Sequence, residues 1–390
     1  MVNRVLVLDA NQRSALATTR SLGRRGVSVY TADETADALA GCSRFSQGYL
    51  PYPSPGAQPE VFIRQIQQYV AQHRIGMVLP MTEMTTELLL RSQTSFPDVV
   101  LPFAPLPTIE ALSNKSALLR LAQSLTVPIP ETWFVETLSD LPDLHQLPYP
   151  LVLKPSKSWV QVDGQWQRAA VQIAGNPEVA QQLIASDPVF QQHPFMLQRC
   201  IPGTGQGVFA LYDRGQALAF FSHRRLREKP PWGGVSVLSE SIPVDPGLLT
   251  HARALLDAVN WHGIAMVEFK VAPEGTPYLM EINTRLWGSL QLAIDAGVDF
   301  PWMLYNLAAG APVPPVTDYK YGQRLRWLLG DLDNLYLTFK ERELAFSTKF
   351  AALLRFCTPH PLRTRHEVNR WSDLGPFWWE LRQYLRDLQA

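Results

Sequence analysis

The sequence predicts an α/β chain with a doubly wound parallel sheet at its N-terminus, a region of hairpins and helices after it, and a small helical tail. Over roughly the first 105 residues, short apolar runs alternate with amphipathic helical stretches, the order of a parallel sheet covered by helices. From about residue 130 to 312 the apolar runs are joined by tight turns instead, as in antiparallel hairpins. At 390 residues and 46% hydrophobic content, the chain is long enough for two or three domains and too apolar to be disordered.

Taken in order, RVLVLDA reads as a strand, RSALATTRSLGRRG as a helix with a glycine stop, and VSVYTAD as the next strand. A second unit follows, with helix EVFIRQIQQYVAQHR, strand GMVLPM and helix TTELLLRSQTSF. Such a start invites a nicotinamide cofactor with Asp33 on its ribose. The turn DANQRSA argues against it, because it lacks the glycines that let a backbone approach a pyrophosphate. The proline-punctuated LPFAPLPTIEAL marks a boundary near residue 105, and SNKSALLRLAQSL reads as a helix capped by Ser113 or Asn114. After VPIPETWFV come short strands and hairpins: YPLVLKPS, WVQVDGQW with an Asp-Gly turn, FMLQRCIPG, and GVFALYDRGQALAFFSHRRL. Residues from about 250 to 310 read as helix, hairpin, helix. Beyond 313 a prolyl linker leads to the tail WSDLGPFWWELRQYLRDL, whose Trp378 and Trp379 are expected to pack on the core. No internal repeat or low-complexity segment interrupts this order.

Charge and cysteine usage exclude several classes. Lys plus Arg equals Asp plus Glu at 35 each, so no net charge argues for nucleic acid or an acidic membrane as partner. Cys42, Cys200 and Cys357 show neither metal-ligand spacing nor a disulfide framework, as in a reducing compartment. The apolar stretch in MVNRVLVLDA is too short for a signal peptide, and the uncharged run from Phe300 to Thr317 contains four prolines and is no membrane span. The expectation is a soluble, cytoplasmic protein acting on small molecules.

The stretch MEINTRLWGSLQLAIDAGVDFP carries the chemistry. Glu281, Asn283 and Arg285 stand two residues apart at the end of an apolar strand. Upstream, GIAMVEFKVAPEGTPYLMEIN reads as two strands joined by PEG. If the hairpin centres between Glu274 and Gly275, Glu268 faces Glu281 and Met266 faces Asn283, all on one side of the sheet. Facing carboxylates repel, but a divalent cation between them turns repulsion into ligation, and Asn283 adds a neutral oxygen. Such hard oxygen ligands suit Mg²⁺ or Mn²⁺. Arg285 then stands where a guanidinium stabilises a transferring phosphoryl group. Lys154 ends the strand PLVLK, and Lys115 opens a helix where a phosphate can meet backbone N–H groups. Either lysine alone reads more readily as a surface residue, and a lone glutamate at a strand end is usually solvated. Together they read as an ATP-binding cleft. Glu83 in LPMTEMTT ends a parallel strand, either as a substrate contact or as part of a helix cap. His223 reads as a substrate contact or a satisfied histidine.

The order Lys115, LVLKP, LQRCIPG, MVEF and MEINTRLWGS resembles the ATP-grasp superfamily, closest to its carboxylate–amine ligase or carbamoyl-phosphate-synthase-like branch. The resemblance covers roughly residues 1 to 312. It implies an α/β domain over 1–105, a two-lobed ATP-grasp domain over 106–312 with its small mobile lobe at about 130–200, and a helical extension over 313–390. It implies Glu268, Glu281 and Asn283 as metal ligands, Arg285 as the catalytic arginine, and Lys115 and Lys154 as phosphate contacts. LQRCIPG resembles the segment linking the lobes, where Gln198 and the backbone near Arg199 and Ile201 meet adenine. SHRRLREKPPWGG resembles the region facing the second substrate, with Arg225 the carboxylate-binding residue. The chain departs from the family in two places. The loop PSKSWVQVDG lacks consecutive glycines, leaving Ser156, Ser158 and nearby N–H groups to cover phosphates, and Arg199 stands where an acid is common. The resemblance implies a ligase that joins a carboxylate to an amine through an acyl phosphate, using ATP and Mg²⁺ or Mn²⁺. An ATP-dependent phosphotransferase and a non-catalytic nucleotide-binding regulator remain alternatives. A homodimer is compatible with the helices of the first domain.

Overall fold

A computed structural model describes residues 3–231, 234–342, 344–358 and 364–389. Trp232 and Gly233, part of the segment expected to face the second substrate, lie outside them.

The N-terminal region follows the alternation in its sequence: β1 (Arg4–Val7), α1 (Arg13–Gly23), β2 (Ser28–Asp33), β3 (Ser46–Pro51), α2 (Pro59–His73), β4 (Met77–Leu79) and α3 (Glu83–Arg91). The strands form a parallel sheet in the order β3-β2-β1-β4. Strand β3, SQGYLP, carries no apolar alternation and was not expected; its pairing with β2 makes it a strand. The proline-rich boundary is itself helical: α4 (Leu106–Ser113) starts on Pro105 as its N-cap and holds Pro107 in its first turn. Helix α5 (Lys115–Ser124) is capped by Asn114, whose side chain accepts the Ala117 N–H at 3.1 Å.

A small lobe follows, with β5 (Thr132–Val135), β6 (Leu151–Pro155), β7 (Trp159–Val162), β8 (Gln165–Arg168), β9 (Gln172–Ala174), α6 (Pro177–Ser186), α7 (Pro188–Gln192) and β10 (Phe195–Arg199). Its antiparallel sheet runs β5-β10-β6-β9, and β7–β8 stands apart as a hairpin. Asp163 and Gly164 both take positive φ, at 51° and 79°, as a tight two-residue turn requires.

The central sheet comprises β11 (Thr204–Asp213), β12 (Gln216–Lys229), β13 (Val235–Ile242), β14 (Gly263–Val271) and β15 (Pro277–Asn283), with α8 (Pro246–Ala258), α9 (Leu290–Ala296) and α10 (Phe300–Ala308) packed on it. The C-terminal region provides β16 (Arg324–Arg326), α11 (Leu328–Lys340), α12 (Phe346–Cys357), β17 (Thr364–His366) and α13 (Gly375–Asp387). The tail is therefore not only helical. Strands β16 and β17 extend the sheet to seven, in the order β15-β14-β11-β12-β13-β16-β17.

Two apolar clusters run through both the parallel and the central sheet. Leu6 and Leu8 join Val208 and Tyr212 in one, while Val5 and Val7 join Phe209 and Leu211 in the other. This is strand alternation with both faces buried. The N-terminal domain and the central sheet thus share their cores, whereas the small lobe packs mainly on its own cluster around Leu153, Phe190 and Phe195.

Candidate active site

The hairpin β14–β15 brings the acidic pair together as the register argument expects. Glu268 pairs with Glu281, and Met266 with Asn283. Nearer the turn the register differs: Phe269 pairs with Leu279, leaving Met280 as an extra residue. The turn therefore sits half a step from the expected centre, and the bulge restores the facing pair.

Around this pair the charges are arranged in part. Arg225 donates to Glu268 Oε1 at 2.5 Å and to Glu228 at 3.1 Å. Asn283 Nδ2 donates to Glu281 Oε1 at 3.2 Å. Enclosure pushes the Glu268 carboxyl up to about 6; Arg225 pulls it down, and the facing Glu281 pushes it further up. Lys154, on β6, has its Nζ 3.9 Å from Met280 Sδ. Burial pushes its ammonium down, against the pull of Glu281. Lys115 Nζ donates to Ser158 Oγ at 2.9 Å, while its backbone N–H is taken by the Ser156 carbonyl at 2.7 Å. That N–H is therefore committed within the protein. Ser156 is buried and shares a hydroxyl contact of 2.6 Å with Ser116, so Ser158 is the serine presented to the site.

A cavity of about 20 Å³ is lined by Glu83, Lys115, Ser158, Glu281, Asn283 and Arg285. This is room for about one water-sized occupant. Glu83 belongs to this site, at the first turn of α3, which Thr82 caps by accepting the Thr85 N–H. His223 is 2% exposed, stacked on Phe209 and 3.2 Å from Ser289 Oγ. Burial holds its imidazole down at about 3, so it stays neutral. Its Nε2 meets Ser289, the residue before α9. In the hinge, Gln198 is buried against Thr132 at 2.9 Å, Ile201 is buried and Arg199 points outward. The Arg199 N–H is donated to the Glu131 carbonyl at 2.9 Å.

Among the described residues no group of three or more His, Cys, Asp or Glu is placed to hold a metal. Two carboxylates and an amide nevertheless fit a hard cation that takes its other ligands from phosphate and water. Arg225 already places a positive charge on Glu268.

Sequence reasoning missed Asp9. It follows β1 in a left-handed conformation, φ 54°, and is buried. Its Oδ2 accepts the N–H groups of Met81 and Thr82 at 2.8 Å and the Thr85 hydroxyl at 2.7 Å. Asp9 thus fixes the loop that delivers Glu83. An acid at the carboxyl end of the first strand was the available signal.

Solved structures share this fold. The chain superposes on an L-amino acid ligase from Bacillus licheniformis with a TM-score of 0.62 at 17% identity, covering 80% of this chain and 75% of that one. A biotin carboxylase in complex with an ATP analogue from Campylobacter jejuni gives 0.63 at 14% identity, covering 83% and 74%. The chain has the ATP-grasp fold. An N5-carboxyaminoimidazole ribonucleotide synthetase from Thermotoga maritima gives 0.56 at 14% identity, covering 83% of this ATP-grasp chain and 79% of its own. Residues 191–330 match a family model described as ATP-grasp in the biosynthetic pathway with Ter operon. No curated protein matches the sequence. No helix among the described residues is long and apolar enough to cross a membrane.

Proposed function

We propose that the protein is an ATP-dependent ligase that joins a small-molecule carboxylate to an amine, releasing ADP and phosphate. The observation that carries this reading is the facing pair Glu268 and Glu281, with Asn283, Arg285, Lys115 and Glu83 gathered at the same junction. Glu268, Glu281 and Asn283 would hold Mg²⁺ or Mn²⁺, which would supply Lewis acidity there when bound. Lys154 approaches from the small lobe and Lys115 from the start of α5, and both position the phosphates. Gln198, Ile201 and the Arg199 backbone hold adenine.

Arg225 binds the substrate carboxylate, leaving Glu268 as it does so. A carboxylate oxygen attacks the γ-phosphorus, the bond to the β-phosphate bridge breaks, and Arg285 stabilises the charge spread over the equatorial oxygens. The hairpin β7–β8 and Ser158 keep water from the acyl phosphate formed. The amine nitrogen then bonds to the acyl carbon, the carbon–oxygen bond to phosphate breaks, and the nitrogen's proton leaves with the phosphate.

The test measures ADP and phosphate across a panel of carboxylates and amines, with hydroxylamine as a trap for the acyl phosphate. Phosphate release that needs both substrates, with hydroxamate formed from carboxylate and hydroxylamine, supports the ligase. ADP and a stable phosphorylated product from one substrate alone would instead make it a phosphotransferase. Nucleotide binding without turnover under any pair would make it a regulator.

A further inference from the structure

A cleft of about 480 Å³ lies at the carboxyl ends of β1, β2 and β4, where an open parallel sheet presents ligands. Its lining contains Asp9, Asp33 and Glu34 and no lysine or arginine. Asp9 and Asp33 accept neutral donors: backbone N–H groups and the Thr85 hydroxyl for Asp9, and the Asn11 N–H and side-chain amide at 2.8 and 2.9 Å for Asp33. These dipoles hold the carboxylates in place without cancelling a charge, while burial pushes the Asp9 and Glu34 carboxyls up. Glu34 stands exposed beside them. The opposing wall is aromatic, formed by Trp159 and Trp166 of the hairpin β7–β8.

Acid on one side and two indoles on the other match an organic cation, which gains from the carboxylate field and from an aromatic face together. The cleft also shares lining residues with its neighbours on the way to the candidate phosphoryl-transfer site. Met84, Trp159 and Trp166 line a second recess with Glu83, Glu87, Arg91 and Lys157, and Glu83 in turn lines the cavity with Glu281 and Arg285.

We propose that this cleft anchors the cationic end of the amine substrate, so that the amine is a diamine or another basic amino compound. The inference rests on the ligase reading for the reaction and on the cleft alone for the charge. An attacking nitrogen must be unprotonated, whereas the anchored ammonium keeps its proton among the acids. Two separate nitrogens meet both demands. Closing the hairpin over the nucleotide brings the tryptophans onto the anchored end, so one movement encloses both ligands.

Titration calorimetry on the full chain tests this with cadaverine and with 1,5-pentanediol, its neutral counterpart of equal chain length. The expected result is binding of cadaverine and none of the diol. Trp166→Ala should weaken cadaverine roughly tenfold and Glu34→Gln roughly threefold, with the wild-type affinity falling as salt rises. Equal binding of diol and diamine, or cadaverine affinity unchanged in both variants, overturns the inference. ADP release, measured in parallel, separates it from the ligase reading. If neutral amines turn over as well as cadaverine and Glu34→Gln leaves kcat/KM unchanged, the ligase stands and the cleft assignment falls. If cadaverine binds as expected but no carboxylate–amine pair releases ADP, the cleft stands and the ligase reading falls.

Discussion

The hairpin carboxylates and those that anchor the C-terminal region both meet arginine, yet they are satisfied to very different degrees. Asp373 accepts Arg20 Nε at 2.7 Å, the Ser43 hydroxyl at 2.7 Å and the Arg44 N–H at 2.9 Å. Arg20 also donates to the carbonyls of Glu367, Val368 and Asp373, and is 1% exposed. Asp331, fully buried, takes two bonds from Arg227 and one from Arg326, each of 2.6 Å. Glu268, by contrast, meets Arg225 through one oxygen, and Glu281 has an amide at 3.2 Å. A saturated carboxylate is committed to the fold; an under-coordinated one can exchange its partner for a ligand.

The largest effect expected from that contrast is on chemistry. Glu281→Gln keeps the shape of the hairpin but removes a charge, so turnover should fall roughly a thousandfold, the several kcal/mol a metal site supplies. Melting temperature and weak nucleotide binding should be retained. ADP formation measured against Mg²⁺ concentration checks this; near wild-type turnover with unchanged metal dependence would make Glu281 a solvated strand-end residue.

At the anchor the same kind of change should act on stability instead. Arg20→Ala leaves Asp373 buried without its cation, which costs about 3–5 kcal/mol. Chemical denaturation should show that loss, while the folded fraction binds Mg-ATP normally. A variant as stable as the wild type would erase the distinction between the two sets of carboxylates.

His223 lies between the two regimes, buried like the anchor yet next to the site. Its folded value of about 3 is below the unfolded histidine range near 6.5. Between those values the unfolded chain binds a proton that the folded chain refuses, so stability falls as pH drops through that window. The contribution is on the order of a few kcal/mol by pH 3. Denaturation midpoints of wild type and His223→Gln between pH 7 and 4 should converge as pH falls; parallel curves would show that the imidazole titrates freely in the folded protein.

The smallest effect is expected at Arg225. Its replacement by Ala should raise the carboxylate KM about tenfold, a charged contact of roughly 1.5 kcal/mol, and leave Mg-ATP affinity intact. If ATP binding fails while carboxylate use is normal, Arg225 serves the nucleotide.

Much of this architecture was legible because the relevant signals are periodic. The alternation of apolar strands and helices in the first region and the Asp-Gly turn follow from spacing alone, whereas the facing glutamates form because the bulge offsets a turn half a step from its expected centre. The Met280 bulge was hidden, since turn register and pairing register are independent once a residue is extra. Strands β16 and β17, RLR and TRH, are charged and too short to show a period. They are strands because β13 offers an open edge. In the candidate site, the residue types were readable, but Asp9's reach to the Thr82 loop and Ser156's use within the protein depend on tertiary contact.

The Arg20–Asp373 contact also sets a timetable. Its partners are separated by 353 residues in the chain. At synthesis rates of about 5–20 residues per second, roughly 20–70 s passes between the appearance of the arginine and of the aspartate. Throughout that interval α1 carries a guanidinium on a face that the finished protein seals from water. The first domain of the nascent chain must therefore keep this face hydrated, and its final packing is deferred until the distant carboxylate arrives.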